Sequence, residues 1–274
     1  MEYYLLLLTI FIIILLVRVL YWLWEFIKTD LRYHLYKSKP FPRKYRNILL
    51  RYFPLYQKLP QNLKKRLHAC IQVFIKEKEF IGVKISIDET KKVLVAANAC
   101  LLSIGHNRCE YKHVYTIYLY PETMIKEEQR YDGWIVSEQR QILLGEAWQG
   151  GEVVLSWRDL LAGDINPNDG KNVGLHEFAH QLDMQDGTAD GTPPMPFRYY
   201  KHWVEVMNKE YSKLHNLYQK HKKGFLDYYA LTNPAEFFAV ATEAFFEKPK
   251  QLKAKEPELY EALKTYYNLD PASW

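Results

Sequence analysis

The sequence predicts an α+β fold carried behind an N-terminal membrane-spanning helix. Three observations predict it. The first 27 residues are almost continuously apolar. Helix-period and strand-period stretches are mixed downstream without a regular strand-helix-strand repeat, which favours α+β over a doubly wound sheet. One helical segment, Asn172 to Gly187, carries two histidines and a glutamate amid apolar residues. With 274 residues, 48% hydrophobic and 25% charged, the chain has the composition of a globular protein with a sizeable core.

The N-terminal stretch, Tyr3 to Ile27, holds no charge between Leu5 and Val17. Continued through Leu23, it has about the 20 residues needed to cross a bilayer. Arg18 stands near one end, where its long stem reaches the interface. Tyr21, Trp22 and Trp24 form an interfacial aromatic belt. A cleaved signal peptide and a buried core helix are the competing readings. The start Met1-Glu2 and the lack of a small-residue cleavage site argue against the first.

Residues 28–51 form a basic collar: Lys28, Arg32, Lys37, Lys39, Arg43, Lys44, Arg46 and Arg51 against Asp30. The excess of cations after the helix places the following domain on the cytoplasmic side. The collar is expected to serve as a juxtamembrane linker touching anionic headgroups. Cys70, Cys100 and Cys109 form no CxxC and no even set, which fits a reducing compartment. The formal charge of +5 is local to the collar, so no nucleic-acid partner is expected. Three segments follow from this reading: an anchor over 1–27, a linker over 28–51 and one domain over 52–274.

Within the domain, Leu59 to Gly82 has apolar residues at helical spacing (Leu63, Leu67, Ile71, Phe74, Ile75), with Gly82 as the stop. Val93 to Val95 reads as a strand and Ala96 to Ile104 as a buried helix. His113 to Pro121 alternates as a strand. A Gly150-Gly151 turn precedes a strand candidate, Val153 to Trp157.

The chemistry lies in His176-Glu177-Phe178-Ala179-His180. Two imidazoles at i and i+4 share one helix face and make half of a tetrahedral zinc site. Glu177, beside the first ligand, is placed to take a proton from a zinc-held water. Two satisfied core histidines are the plainer alternative. A metzincin extension would make Asp186 the third ligand, but it needs glycine where Asp183 stands. Asp183 is expected to support a histidine or the following turn. Downstream, Asn233-Pro234 opens a strongly apolar helix. Glu236 there either completes a capping box or binds metal. Glu243 lies two turns on, nearly on the same face, and both remain candidates for the third ligand. Tyr229, seven residues before Glu236, could supply a phenol to an oxyanion.

The segments GKNVGLHEFAHQLDMQDGTADGTP, YYALTNPAEFFAVATEAFFEKP and LYEALKTYYNLDP, with FPLYQKLPQNLKKRLHACIQVFIKEKEFIG and VYTIYLYP, resemble the family of the Mlc titration factor A, a group of zinc-dependent peptidases. The resemblance covers residues 50–274. It implies a zincin-like domain, Zn2+ held by His176, His180 and Glu236, and Glu177 as catalytic glutamate. The family is similar in its core to the anthrax lethal factor peptidase domain, which implies an assisting role for Tyr229. It further implies aminopeptidase-like hydrolysis of a peptide or protein substrate, and a transcriptional regulator as partner. The anchor and collar depart from the soluble founding member. A zinc-stabilised module that sequesters such a regulator at the membrane, without turnover, is the alternative function.

Overall fold

The computed structural model describes residues 2–106, 109, 111–122 and 151–274. These residues are mostly helical, with one small parallel sheet. The chain opens with α1 (Glu2–Ser38), α2 (Arg43–Tyr52), α3 (Pro54–Lys58) and α4 (Gln61–Glu77), then β1 (Glu79–Gly82) and α5 (Glu89–Ser103). Strands β2 (Thr116–Tyr120) and β3 (Glu152–Ser156) follow, then α6 (Trp157–Ile165) and α7 (Val173–Asp183). The C-terminal half contains α8 (Phe197–Gln219), α9 (Pro234–Glu247), α10 (Pro249–Lys255) and α11 (Pro257–Tyr267).

The sheet has the order β1-β2-β3, and both pairings are parallel. Glu79 pairs with Thr116, and Tyr118 with Val154. Ile117, Leu119, Val153 and Leu155 turn into the core, while their neighbours are half-buried. Because α5 connects β1 to its parallel neighbour, a strand-helix-strand unit is present that the irregular periodicity concealed.

Two elements differ from the sequence expectation. The helix expected over Leu59 to Gly82 ends at Glu77, and Glu79–Gly82 is strand β1. Phe80 and Ile81 satisfy helical spacing, but β2 offers them a backbone ladder from more than 30 residues away. Val93 to Val95 is helical, within α5. Its β-branched residues are packed on every side, and the Asp88 carboxylate starts the helix by accepting the Lys91 N–H at 2.9 Å. The strands expected over 113–121 and 153–157 are present as β2 and β3. Gly150 of the expected turn lies outside the described residues.

Residues 28–51, expected as a linker, carry packed structure. Helix α1 runs unbroken to Ser38 and lies against α4. Tyr33 is buried there, and Arg32 reaches Glu77 at 2.9 Å. Phe41 and Leu49 also join the core. The stretch Leu6–Trp24 of α1 is long and apolar enough to cross a membrane, and none of it is buried in the protein.

Three helices position the site. Helix α5 is buried along nearly its whole length and supports α7. Helix α9 is buried from Ala235 to Glu247 and lies along the other side of α7. Gly174 permits the approach of α5, because a Cβ there would fall 2.5 Å from Asn98 Cγ.

Candidate metal centre

Helix α7 begins at Asn172, whose Oδ1 accepts the Leu175 N–H at 2.9 Å. One turn later it presents His176, and after one more His180, with ring centroids 4.8 Å apart. Helix α9 begins in the same way. Asn233 Oδ1 accepts the Glu236 N–H at 2.9 Å, and Pro234 occupies the first turn. The N-cap expected at Asn233 is therefore present, while the Glu236 carboxylate, the part a capping box would use, turns to α7.

There the three side chains converge. His176 Nε2 is 2.9 Å from Glu236 Oε2, His180 Nε2 is 3.5 Å from the same oxygen, and the two Nε2 atoms are 3.1 Å apart. A tetrahedral zinc with ~2.05 Å bonds separates its ligand atoms by ~3.3 Å, so the triangle is of the right size. Two imidazole nitrogens and one carboxylate oxygen are also a donor set that zinc accepts. Among the described residues, this is the cluster able to hold a metal ion.

The charge balance agrees. Burial opposes protonation of His176, yet Glu236 and Glu243 overcome it and hold the imidazole pKa well above its ordinary value. Burial likewise works against ionisation of Glu236, but the two histidines drive its carboxyl far below the usual range. The cluster is thus built around a positive charge, and a metal cation can replace the proton.

Glu243, the other candidate ligand, has a different position. Its Oε1 lies 2.7 Å from His176 Nδ1, on the ring edge away from the cluster. Its Oε2 accepts the Asn172 N–H. It orients the imidazole and makes it a stronger donor. Farther along α9, Glu247 Oε2 accepts the N–H groups of Gly170 and Lys171 at 2.9 and 3.1 Å. One face of α9 therefore fixes the metal site, the ring and the approach loop in succession. Behind these, Asp164 Oδ1 accepts from Asn98 Nδ2 at 2.8 Å and from Asn172 Nδ2 at 3.3 Å. Sequence reasoning missed Asn172, Asp164 and Asn98. Only Asn172 left a signal, as an N-cap residue opening the helix.

Glu177 is buried next to His176 on α7. Tyr229 sits in a short 3-10 turn, Tyr228–Leu231, half-exposed, with its ring centroid 6.0 Å from that of His176. Asp183 Oδ2 accepts the Gly191 N–H at 2.7 Å, so it supports the turn after α7. Asp186 is exposed and bonded to Thr188, apart from the cluster.

Comparison with known proteins gives the same direction. The family model described as glucose-regulated metallo-peptidase M90 matches residues 27–268. A Synechocystis protein, slr2042, is 37% identical over 240 residues, covering 85% of this chain and 86% of that protein. Mlc titration factor A of Salmonella agona is 30% identical over 225 residues, covering 80% of this chain and 84% of that protein. The protein of the same name from Salmonella arizonae is also 30% identical, with 80% and 88% covered.

Proposed function

Since this chain belongs to the glucose-regulated metallo-peptidase M90 family, and is a metallopeptidase by that membership, we propose that it is a membrane-anchored zinc peptidase with aminopeptidase-like action. The observation that carries the reading is the convergence of His176, His180 and Glu236, with Glu177 next to the first ligand on α7. In this reading the domain is zincin-like and the three residues are the zinc ligands. Zinc held there would supply a Lewis acid for a peptide carbonyl and would lower the pKa of a bound water to ~7.

The chain's own residues do the rest. The Glu177 carboxylate accepts the proton of the attacking water and later delivers it to the leaving amine. The Tyr229 O–H donates to the oxygen of the former carbonyl as it gains negative charge. Glu243 holds His176 in one tautomer by accepting its Nδ1–H. Strand β3, which packs beside α7, offers backbone groups to an extended peptide.

The apolar part of α1 supports the anchor. Its 19 residues, Leu6–Trp24, span ~28 Å, close to the ~30 Å hydrocarbon thickness. The cations that follow orient the domain to the cytoplasm.

The test is Glu177→Gln in the full-length protein. Zinc content stays at the wild-type level and peptide hydrolysis falls about 100-fold or more. Wild-type turnover in that variant would remove Glu177 from the chemistry. A second reading comes from the relatives called Mlc titration factor A. By analogy the chain binds a transcriptional regulator at the membrane. Copurification of such a regulator with Glu177→Gln supports that role separately from hydrolysis, and its absence from both wild type and variant counts against it.

A further inference from the structure

A concavity lies on the side of α7 away from the cluster, and we propose that it binds a small aromatic monoanion and passes that occupancy to the metal centre. Leu182 lines it, two residues past His180 and so on the opposite helix face. The cavity volume is about 440 Å³, within the range of small-ligand sites.

Its chemistry is uneven. Tyr199 of α8 and Tyr266 of α11 contribute partly exposed rings, and the Tyr266 ring packs 5.3 Å between centroids from the buried Trp203 of α8. Arg198, His106 and His202 lie at the exposed rim, with Arg198 over the Tyr199 ring at 4.7 Å. No carboxylate is among its described lining residues. The two tyrosine rings offer a flat ligand a stacking surface, and a guanidinium fits a carboxylate or sulfonate. Neither half alone defines the ligand, but together they select a ring bearing one negative charge.

The link to the metal centre passes through Gly191. The Trp203 indole N–H donates to the Gly191 carbonyl at 3.0 Å. The Gly191 N–H donates to Asp183, the last residue of α7, three past His180. Gly191 has φ +79°, and a Cβ there would stand 2.4 Å from the Pro234 carbonyl oxygen. Its backbone therefore rests on the first residue of α9, two before Glu236. One glycine touches the pocket's indole and both helices that carry the metal cluster. A ligand that shifts Trp203 acts on all three contacts.

The binding half of this proposal stands by itself; the coupling half rests on His176, His180 and Glu236 being the zinc ligands. The test is calorimetry of the purified full-length protein with 2-naphthoate, against 2-naphthol (ring without charge) and acetate (charge without ring). Saturable 2-naphthoate binding is expected, about tenfold or more weaker in Arg198→Ala, an exposed position, and about tenfold or more weaker for either control compound. Equal affinity in wild type and Arg198→Ala, or no saturable binding, overturns the site. Chelator competition with and without 2-naphthoate then reads the coupling. The apparent zinc affinity is expected to change about fivefold or more in wild type. An unchanged affinity overturns the coupling alone, and a protein that takes up no zinc overturns the metal reading instead.

Discussion

Replacing Glu243 by glutamine separates orientation of a ligand from ligation itself. In the wild type, Glu243 Oε1 meets His176 Nδ1 at 2.7 Å, a charge-assisted contact. Glutamine retains an acceptor oxygen of similar reach but loses the charge. Hydrogen bonds to charged groups contribute ~1.5–3 kcal/mol and neutral ones ~0.5–1.5 kcal/mol. The difference of ~1–1.5 kcal/mol corresponds to about a tenfold loss of zinc affinity. Glu236→Gln puts a neutral amide where a carboxylate meets both histidines at 2.9 Å and 3.5 Å, and an amide is a far weaker zinc donor, so its loss is expected to be much larger. Competition with a chromophoric chelator measures both variants, with circular dichroism to confirm that each is folded. Should Glu243→Gln lose as much zinc affinity as Glu236→Gln, or more, the division of labour along α9 is wrong.

Other predictions follow from the same structure. Deleting residues 1–26 leaves Tyr33, Phe41 and Leu49 in the core, whereas deleting 1–50 removes all three. At ~1.5–3 kcal/mol each, the longer deletion costs ~5 kcal/mol or more, against a net stability of ~5–15 kcal/mol. Thermal melts should show a cooperative transition for the first and aggregation or no transition for the second; equal melts would refute the packing of residues 27–50 on the domain. Gly174→Ala drives a methyl against Asn98, which Asp164 and the Leu94 carbonyl hold in place, and should cost ~1–3 kcal/mol in urea unfolding. Burial, with Asp169 nearby, pushes the Glu247 carboxyl up to about 8 from an ordinary 4.5. Between those values the folded protein retains a proton that the unfolded chain has released, so stability falls as pH rises through this window. Asp183, raised by burial to about 7, acts with the same sign. Glu247→Gln should flatten the decline in unfolding free energy between pH 5 and 8, and an unchanged slope would assign it elsewhere.

The parts legible in the sequence were those with local causes. The i, i+4 pair of His176 and His180 follows from helix period alone, and the α9 start from Asn233 and Pro234. The choice between Glu236 and Glu243 was not local. Both sit on one helix face, and only the distance across to α7 tells which carboxylate meets Nε2 and which meets Nδ1. Strand β1 was concealed because Phe80 and Ile81 continue the spacing of α4, while their partners in β2 come after a whole helix. Val93 to Val95 has strand-forming residues, yet it is buried on all sides within α5, where packing decides the backbone. The collar's charges hid the burial of Tyr33, Phe41 and Leu49, since a basic stretch reads as solvated whichever apolar residues it carries.

The central claim is that two helices bring His176, His180 and Glu236 together to hold one zinc ion. Metal analysis of purified full-length wild type beside Glu177→Gln, His176→Ala and Glu236→Gln tests it most directly. The account predicts one zinc per chain in wild type and in Glu177→Gln, with far less in the two ligand variants. Wild-type zinc content in His176→Ala and Glu236→Gln would contradict it.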